Sequence, residues 1–302
     1  MTNTHNENLG YVYGLIAVTA FALTLPAMRV ALTVLDPVFV ALGRGVGAAV
    51  LATIFLGFTR QHLPARKEVK GLLIVSAGAV IGFPLLAAWA MLYVDASHGG
   101  VVLGILPLAT AVAAALLYHE RPSVRFWLFA LIGAMLVVGY SLSQAGGTLT
   151  MADLALFGSI ICAAASYAEG ARLTRSLGGP QVISWALVFS LPVLIVPTLY
   201  YAPASLDLPL DVWLSFLYLT AVSQFLGFFP WYHGLALGGT AKVSQTQLLQ
   251  PFLTIIASVL LLGEHADLMT WLVAVLVAAV VAVGKRARVQ HYEPGSATIA
   301  DT

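Results

Sequence analysis

The stretch SQTQLLQP places Ser244, Gln245, Thr246, Gln247 and Gln250 directly ahead of Pro251, inside an otherwise apolar run. Amide and hydroxyl side chains donate and accept hydrogen bonds but do not shuttle protons at neutral pH. Hydrocarbon offers such groups no partner, so each must find one within the protein or on a bound molecule. Two readings follow for Gln250, Gln247 and Ser244: the wall of a cavity that meets the polar head of a small molecule, or bonds that tie neighbouring helices together. Gln224 sits mid-way along another apolar run and carries the same two readings. Tyr167 lies deep in its segment and is a candidate for the same wall.

Aromatic and imidazole groups gather in WAMLY, with Trp89, and in FFPWYHG, with Trp231, Tyr232 and His233. They suit either an interfacial belt or a cavity that accepts flat apolar side chains. Charges inside apolar segments are costly and draw functional suspicion. Arg44 could hold a substrate carboxylate, pair with Asp36 or Asp95, or extend its head group outward. Arg29, nearer a segment end, is expected to extend outward. Glu169 has Arg172 within one helical turn, where an i,i+3 pair can form, and proton coupling is its alternative role. Pro107 and Pro251 each remove a helix hydrogen bond, so both are candidate hinges as well as candidate static kinks. No Gly-x-Ser-x-Gly, His-Glu-x-x-His or P-loop pattern is present, so no catalytic residue, metal site or cofactor is expected. Nucleic acid is not an expected partner either. A small molecule and the lipid bilayer are.

The elements that must position these groups follow from composition. Of 302 residues 60% are hydrophobic and only 9% charged, with mean hydropathy +0.93. A soluble domain carries roughly 25% charged residues. Cys162 is the single cysteine, which excludes an intrachain disulfide framework. The start MTNTHNENLG has no basic region and no cleavage signal after the first apolar run, so that run is read as a retained span. Apolar spans are expected at 11–34, 37–58, 69–93, 98–118, 124–143, 153–174, 180–200, 211–237, 241–262 and 268–285. Twelve of the 14 basic residues then fall in alternate loops and the C-terminal tail, which predicts that both termini face the cytoplasm. Gly43-x-x-x-Gly47 and Gly78-x-x-x-Gly82 offer bare helix faces for close packing.

A gapless shift of 144 residues matches Pro107 with Pro251, Glu120 with Glu264, Thr110 with Thr254 and Trp127 with Trp271. Shared apolar composition explains leucine and alanine matches, but not these. An odd number of spans per repeat would insert the second half upside down, an architecture of many secondary transporters, with the substrate site between the halves. Each half ends in Pro…Glu followed by an aromatic residue and a closing helix, and LLLGE at 260–264 fits this pattern while LLYHE at 116–120 replaces the glycine by His119. On these residues the chain resembles the EamA-type drug/metabolite transporters, most closely the YddG amino-acid exporters.

The resemblance covers about Tyr11 to Lys285. It implies an all-α integral membrane protein of ten transmembrane helices in two inverted five-helix repeats. The expected boundaries are a cytoplasmic tail 1–10, a first repeat 11–143, a second 153–287 and a cytoplasmic tail 288–302. It also implies export of amino acids or related small metabolites across the bacterial cytoplasmic membrane by alternating access. Other cargoes stand beside this: a drug-like cation, a nucleotide-sugar or a phosphorylated metabolite. A non-transport scaffold or membrane enzyme is a further alternative. No mid-membrane acid favours a cation and no buried lysine or arginine cluster favours a phosphate, which leaves neutral or zwitterionic cargo. The oligomeric state is open, and a monomer is compatible with the chain. Glu120 and Glu264 are expected to close the ends of their own helices, not to carry protons.

Overall fold

The computed structural model describes residues 4–118, 121–144, 146, 148–238, 243–285 and 289–290. Segments that cannot bond their backbone to water must bond it internally, and the apolar runs are accordingly helical. Seven segments are long and apolar enough to cross a bilayer: 8–31, 39–58, 66–90, 127–144, 151–177, 179–200 and 210–235. A further pair is bent by 40°, and two shorter apolar helices, 246–262 and 268–283, complete the bundle among the described residues. The protein is therefore a multi-pass membrane protein.

Several segments are composite. The first joins α1 (Thr4–Ala22) to α2 (Thr24–Ala31). The second is a π-helical turn, Phe39–Gly43, running into α3 (Arg44–Phe58). The third runs α4 (Arg66–Val75), a π-helical stretch Ser76–Gly82, then α5 (Phe83–Ala90). The bent pair is α6 (Ala96–Leu103) and α7 (Leu106–Tyr118). Three uninterrupted helices follow: α8 (Val124–Gln144), α9 (Met151–Leu177) and α10 (Gly179–Tyr200). Next come α11 (Leu210–Leu217), a π-helical stretch Tyr218–Leu226 and α12 (Phe228–Gly238). A 3₁₀ turn, Ser244–Leu249, leads into α13 (Gln250–Leu262), and α14 (Leu268–Lys285) closes the bundle.

The element starts recur at the sequence shift of 144 residues. Helices α4 and α11 start at 66 and 210, α7 and α13 at 106 and 250, and α8 and α14 at 124 and 268. Residues Arg121–Pro122 pair antiparallel with Val289–Gln290, so the link between α7 and α8 lies at the same end of the bundle as the chain leaving α14.

The side chains are sorted inside out relative to a water-soluble protein. Phe58, Val196, Leu199, Leu260 and Leu268 are more than two-thirds exposed, whereas Thr24, Ser159, Ser166, Ser184, Ser223 and Thr254 are buried. An outer surface of leucine and valine is stable in lipid and not in water. Small residues let the inner helices close in. A Cβ on Gly78 would stand 2.3 Å from the Cys162 carbonyl oxygen, so α9 lies directly on the π-helical backbone there.

Two backbone breaks are matched to partners. Pro26 has no N–H to give the Ala22 carbonyl, and the Thr254 hydroxyl donates to that oxygen instead at 2.9 Å. At the α6–α7 bend, a Cβ on Gly104 would come within 3.0 Å of the Pro251 ring, so only a glycine lets α13 seat against the break. These positions revise the expected hinges. Pro107 and Pro251 do not kink continuous helices at mid-span; each is the second residue of a helix that begins after a break. The first helical turn is where proline costs no hydrogen bond. The expected continuous spans 98–118 and 241–262 are correspondingly interrupted, at Gly104–Ile105 and by the 3₁₀ turn.

Candidate functional site

Arg44 follows the first π-helical turn, Ala79 lies in the second π-helical stretch, and Ser223 and Gln224 lie in the third. A π turn carries one extra residue and re-aims the side chains around it, which is why such turns recur at functional sites. Here they bring together groups 145 and 180 residues apart in sequence. Arg44 donates to Gln224 Oε1 through Nε at 2.9 Å and through Nη2 at 2.5 Å. Gln224 Nε2 donates onward to the Ala79 carbonyl at 3.1 Å. The amide thus satisfies both of its ends while presenting its oxygen to the guanidinium, in the position a carboxylate would otherwise take.

Arg44 is 2% exposed and Gln224 fully buried. No carboxylate reaches Arg44 among the described ion pairs, and its Nη1 has no hydrogen-bond partner. Ser223 Oγ stands 3.5 Å from Nη2 and 2.7 Å from Thr24 Oγ1, which places two hydroxyls beside the guanidinium. Burying a full charge on a neutral acceptor is expensive, by several kcal/mol even after relaxation. Such an arrangement is tolerable where something anionic visits.

Arg44 also lines a cavity at the centre of the bundle. Phe21, Thr24, Leu25, Arg44, Ala79, Phe83, Leu103 and Leu106 line it together with Ala163, Tyr167, Ser223, Phe228 and Gln250. Its free volume is about 20 Å³, room for about one water molecule. Tyr167 packs its ring on Phe228 and Trp231, at centroid distances of 6.1 and 5.9 Å. Gln250, first residue of α13, supplies the amide of the lining.

A second, larger hollow of about 410 Å³ lies toward one end, between Arg29, Thr33, Met91, Asp211 and Glu264. Arg29 is fixed there. It donates to the Met91 and Val94 carbonyls at 2.9 and 3.2 Å, pairs with Asp95 at 3.2 Å and stands 3.9 Å from Glu264. Glu264 accepts from the Ala96 and Ser97 N–H groups at 2.8 and 2.9 Å, so it caps α6 and not its own helix. A carboxylate there complements the positive end of the α6 dipole. Nearby, His98 Nε2 meets Asp153 at 2.8 Å and stacks on Tyr140, whose hydroxyl reaches Thr270 at 3.0 Å.

Of the residues singled out from sequence, Gln250, Tyr167 and Arg44 share the central cavity, with Gln224 directly behind Arg44. Gln247 and Tyr232 are buried outside the cavity lining, and among the described residues neither the Gln247 amide nor the Tyr232 hydroxyl has a hydrogen-bond partner. Trp89 and His233 are exposed: Trp89 packs on Tyr93, and His233 meets Tyr13 edge-on. The Ser244 side chain and Glu120 lie outside the described residues. Glu169 forms the i,i+3 pair with Arg172, at 2.6 and 3.1 Å. Arg44 neither pairs with Asp36 or Asp95 nor extends outward. Asp36 accepts from the Val38 N–H at the start of its own helix, and Asp95 is taken by Arg29. Thr24, Ser223, Phe21, Phe83 and Phe228 were not picked out from sequence. Ser223, the immediate neighbour of Gln224 in a second polar pair inside an apolar run, is the one a sequence signal could have found.

The sequence pattern described as the EamA-like transporter family matches the chain twice, over residues 8–142 and 150–283. The uncharacterized transporter YdeK of Bacillus subtilis is 43% identical over 92% of this chain and 97% of its own length. A probable terminal-alkyne amino-acid exporter of Streptantibioticus cattleyicolor is 24% identical over 82% of this chain and 84% of its own. A solved crystal structure superposes with a TM-score of 0.62 at 17% identity, covering 92% of this chain and 97% of that one, a likeness of fold alone.

Proposed function

Since the chain belongs to the EamA-like transporter family, we propose that it is a secondary transporter that exports amino acids or related small metabolites across the bacterial cytoplasmic membrane. One observation carries this reading. The central cavity is walled by residues of both family-matched segments, Phe21 to Leu106 from one and Ala163 to Gln250 from the other. A site shared by two packed halves can be exposed to either side in turn by rocking one half on the other.

On this reading the bent pair and the two shorter apolar helices each make one crossing, which brings the total to ten. The recurrence of helix starts at a shift of 144 residues supports two five-helix halves, and an odd number of crossings per half makes them inverted. The pairing of residues 121–122 with 289–290 fits both termini lying on the cytoplasmic side, where the basic loops gather. The Arg29–Asp95–Glu264 cluster is then periplasmic. The unpartnered polar atoms of Gln247, Trp231 and Tyr232 fall in the cytoplasmic half, packed shut here. Opening that half would hydrate them, which offsets part of the cost of separating the helices.

Amino-acid cargo is favoured by a largely apolar, partly aromatic lining that carries one cation and no carboxylate, and by the likeness to a probable terminal-alkyne amino-acid exporter. The test is flux in proteoliposomes with a panel of radiolabelled amino acids, with and without a pH gradient. Flux above empty liposomes is expected for apolar amino acids. Flux of a cation or sugar phosphate with none of any amino acid would overturn the reading.

A further inference from the structure

We propose that the cavity recognises a carboxylate, that Arg44 Nη1 is the group that takes it, and that an ammonium on the same molecule is dispensable. The proposal rests on the reading of the central cavity as the transport site and narrows its substrate class to small monocarboxylates with an apolar body.

Three observations carry it. Arg44 is a buried cation with no carboxylate partner among the described residues, and its Nη1 alone of the three guanidinium nitrogens lacks any hydrogen-bond partner. The nitrogens facing Gln224 are held, so Nη1 is the donor left for a visitor. A carboxylate oxygen there would gain a charge-assisted bond and end the charge's isolation at once. The Thr24 and Ser223 hydroxyls, bonded to each other at 2.7 Å, also line the cavity, and the one that accepts in that bond can donate to the second carboxylate oxygen.

The rest of the wall explains the apolar body and the indifference to an ammonium. Phe21, Leu25, Phe83, Leu103, Leu106 and Phe228 give it no charge, and no aspartate or glutamate is among the lining residues. An ammonium would meet only the rings and the Gln250 amide, a weak reward for its lost hydration. With about 20 Å³ free, the walls part to admit such a molecule, and Gln224 Oε1 keeps Arg44 in place meanwhile.

The test uses the full chain purified in detergent and four probes of one shape: L-phenylalanine, 3-phenylpropionate, L-phenylalaninamide and 2-phenylethylamine. Binding is read by calorimetry. The two carboxylates are expected to bind with similar affinity, and the amide and the amine about 10- to 100-fold more weakly, the value of one charge-assisted buried contact. Arg44→Gln should erase that difference while its unfolding temperature stays at or above that of the unaltered protein, and Arg44→Lys should keep part of it. Equal binding of amide and acid, strong dependence on the ammonium, binding of none of the four, or discrimination surviving in Arg44→Gln would each overturn the proposal. If amino-acid flux persists while discrimination is absent, only this inference falls. Absence of amino-acid flux alongside intact discrimination would count instead against the transport reading.

Discussion

Replacing Gln224 by leucine removes the acceptor that holds Arg44 by two nitrogens, at 2.9 and 2.5 Å, and leaves a guanidinium that is 2% exposed with Nε and Nη1 both unpartnered. Each lost bond to a charged group is worth about 1.5–3 kcal/mol, and breaking a buried charge from its partner costs roughly 3–5 kcal/mol overall. A chain of 150–250 residues shifts by about 2–4 °C per kcal/mol, and the shift shrinks with length, so about 2 °C per kcal/mol applies here. Gln224→Leu should then unfold about 6–10 °C lower, followed by tryptophan fluorescence on heating in detergent. The informative partner is the double variant Arg44→Met, Gln224→Leu. If the penalty is that of a stranded charge, removing the charge as well should restore the unfolding temperature to within about 2 °C of the starting protein, or exceed it. A single variant that loses less than about 2 °C, or a double variant no better than the single one, would refute the account of Arg44 as a costly, under-compensated cation.

Gly78→Ala should disturb packing, because its Cβ meets the Cys162 carbonyl at 2.3 Å; overpacking of this kind costs about 1–3 kcal/mol and is read as a lower unfolding temperature. Thr254→Val strands the Ala22 carbonyl beside Pro26 and should cost about 1 kcal/mol in the same assay, whereas Thr110→Val, whose hydroxyl bonds only a carbonyl of its own helix, should cost less. Glu264→Gln weakens both the cap on α6 and the neighbourhood of Arg29, so cysteine pairs across that end should cross-link more slowly than in the unaltered protein. The Asp267 carboxyl is held below its usual range by the Thr270 hydroxyl and N–H, so its contribution is full above the ordinary carboxylate range and is lost as pH falls through the lowered value. Asp267→Asn should therefore lower the unfolding temperature at pH 7, and the difference should narrow as pH falls below the ordinary carboxylate range.

Long apolar runs were legible because lipid leaves the backbone one solution, and the expected segments 153–174 and 180–200 overlie α9 and α10 closely. The breaks were not. Whether residues around Gly104 or Ser244 continue a helix depends on what α13 and α6 press against each other there, and that is set by tertiary contact. The π-helical stretches were hidden for the same reason: an extra residue per turn leaves no mark on composition. Among the site residues, Gln250, Gln224 and Tyr167 could be singled out as polar groups at depth. The Arg44–Gln224 bond could not, because 180 residues separate the two and Asp36 and Asp95 offered a nearer charge match. The structure spends those aspartates elsewhere, Asp36 on a helix start and Asp95 on Arg29.

The π-helical stretches also bear on ancestry. Ser76–Gly82, moved forward by 144 residues, falls on 220–226, inside Tyr218–Leu226. A residue gained by one half after the two had parted would have thrown that half out of register, and no single shift could then join Pro107 to Pro251 and also align these two stretches. On the proposed repeat, the extra residue was therefore already present in the ancestral half. What was copied was a helix with its irregular turn in place, and one copy of that turn now carries the glutamine that holds Arg44, the other the carbonyl that holds the glutamine.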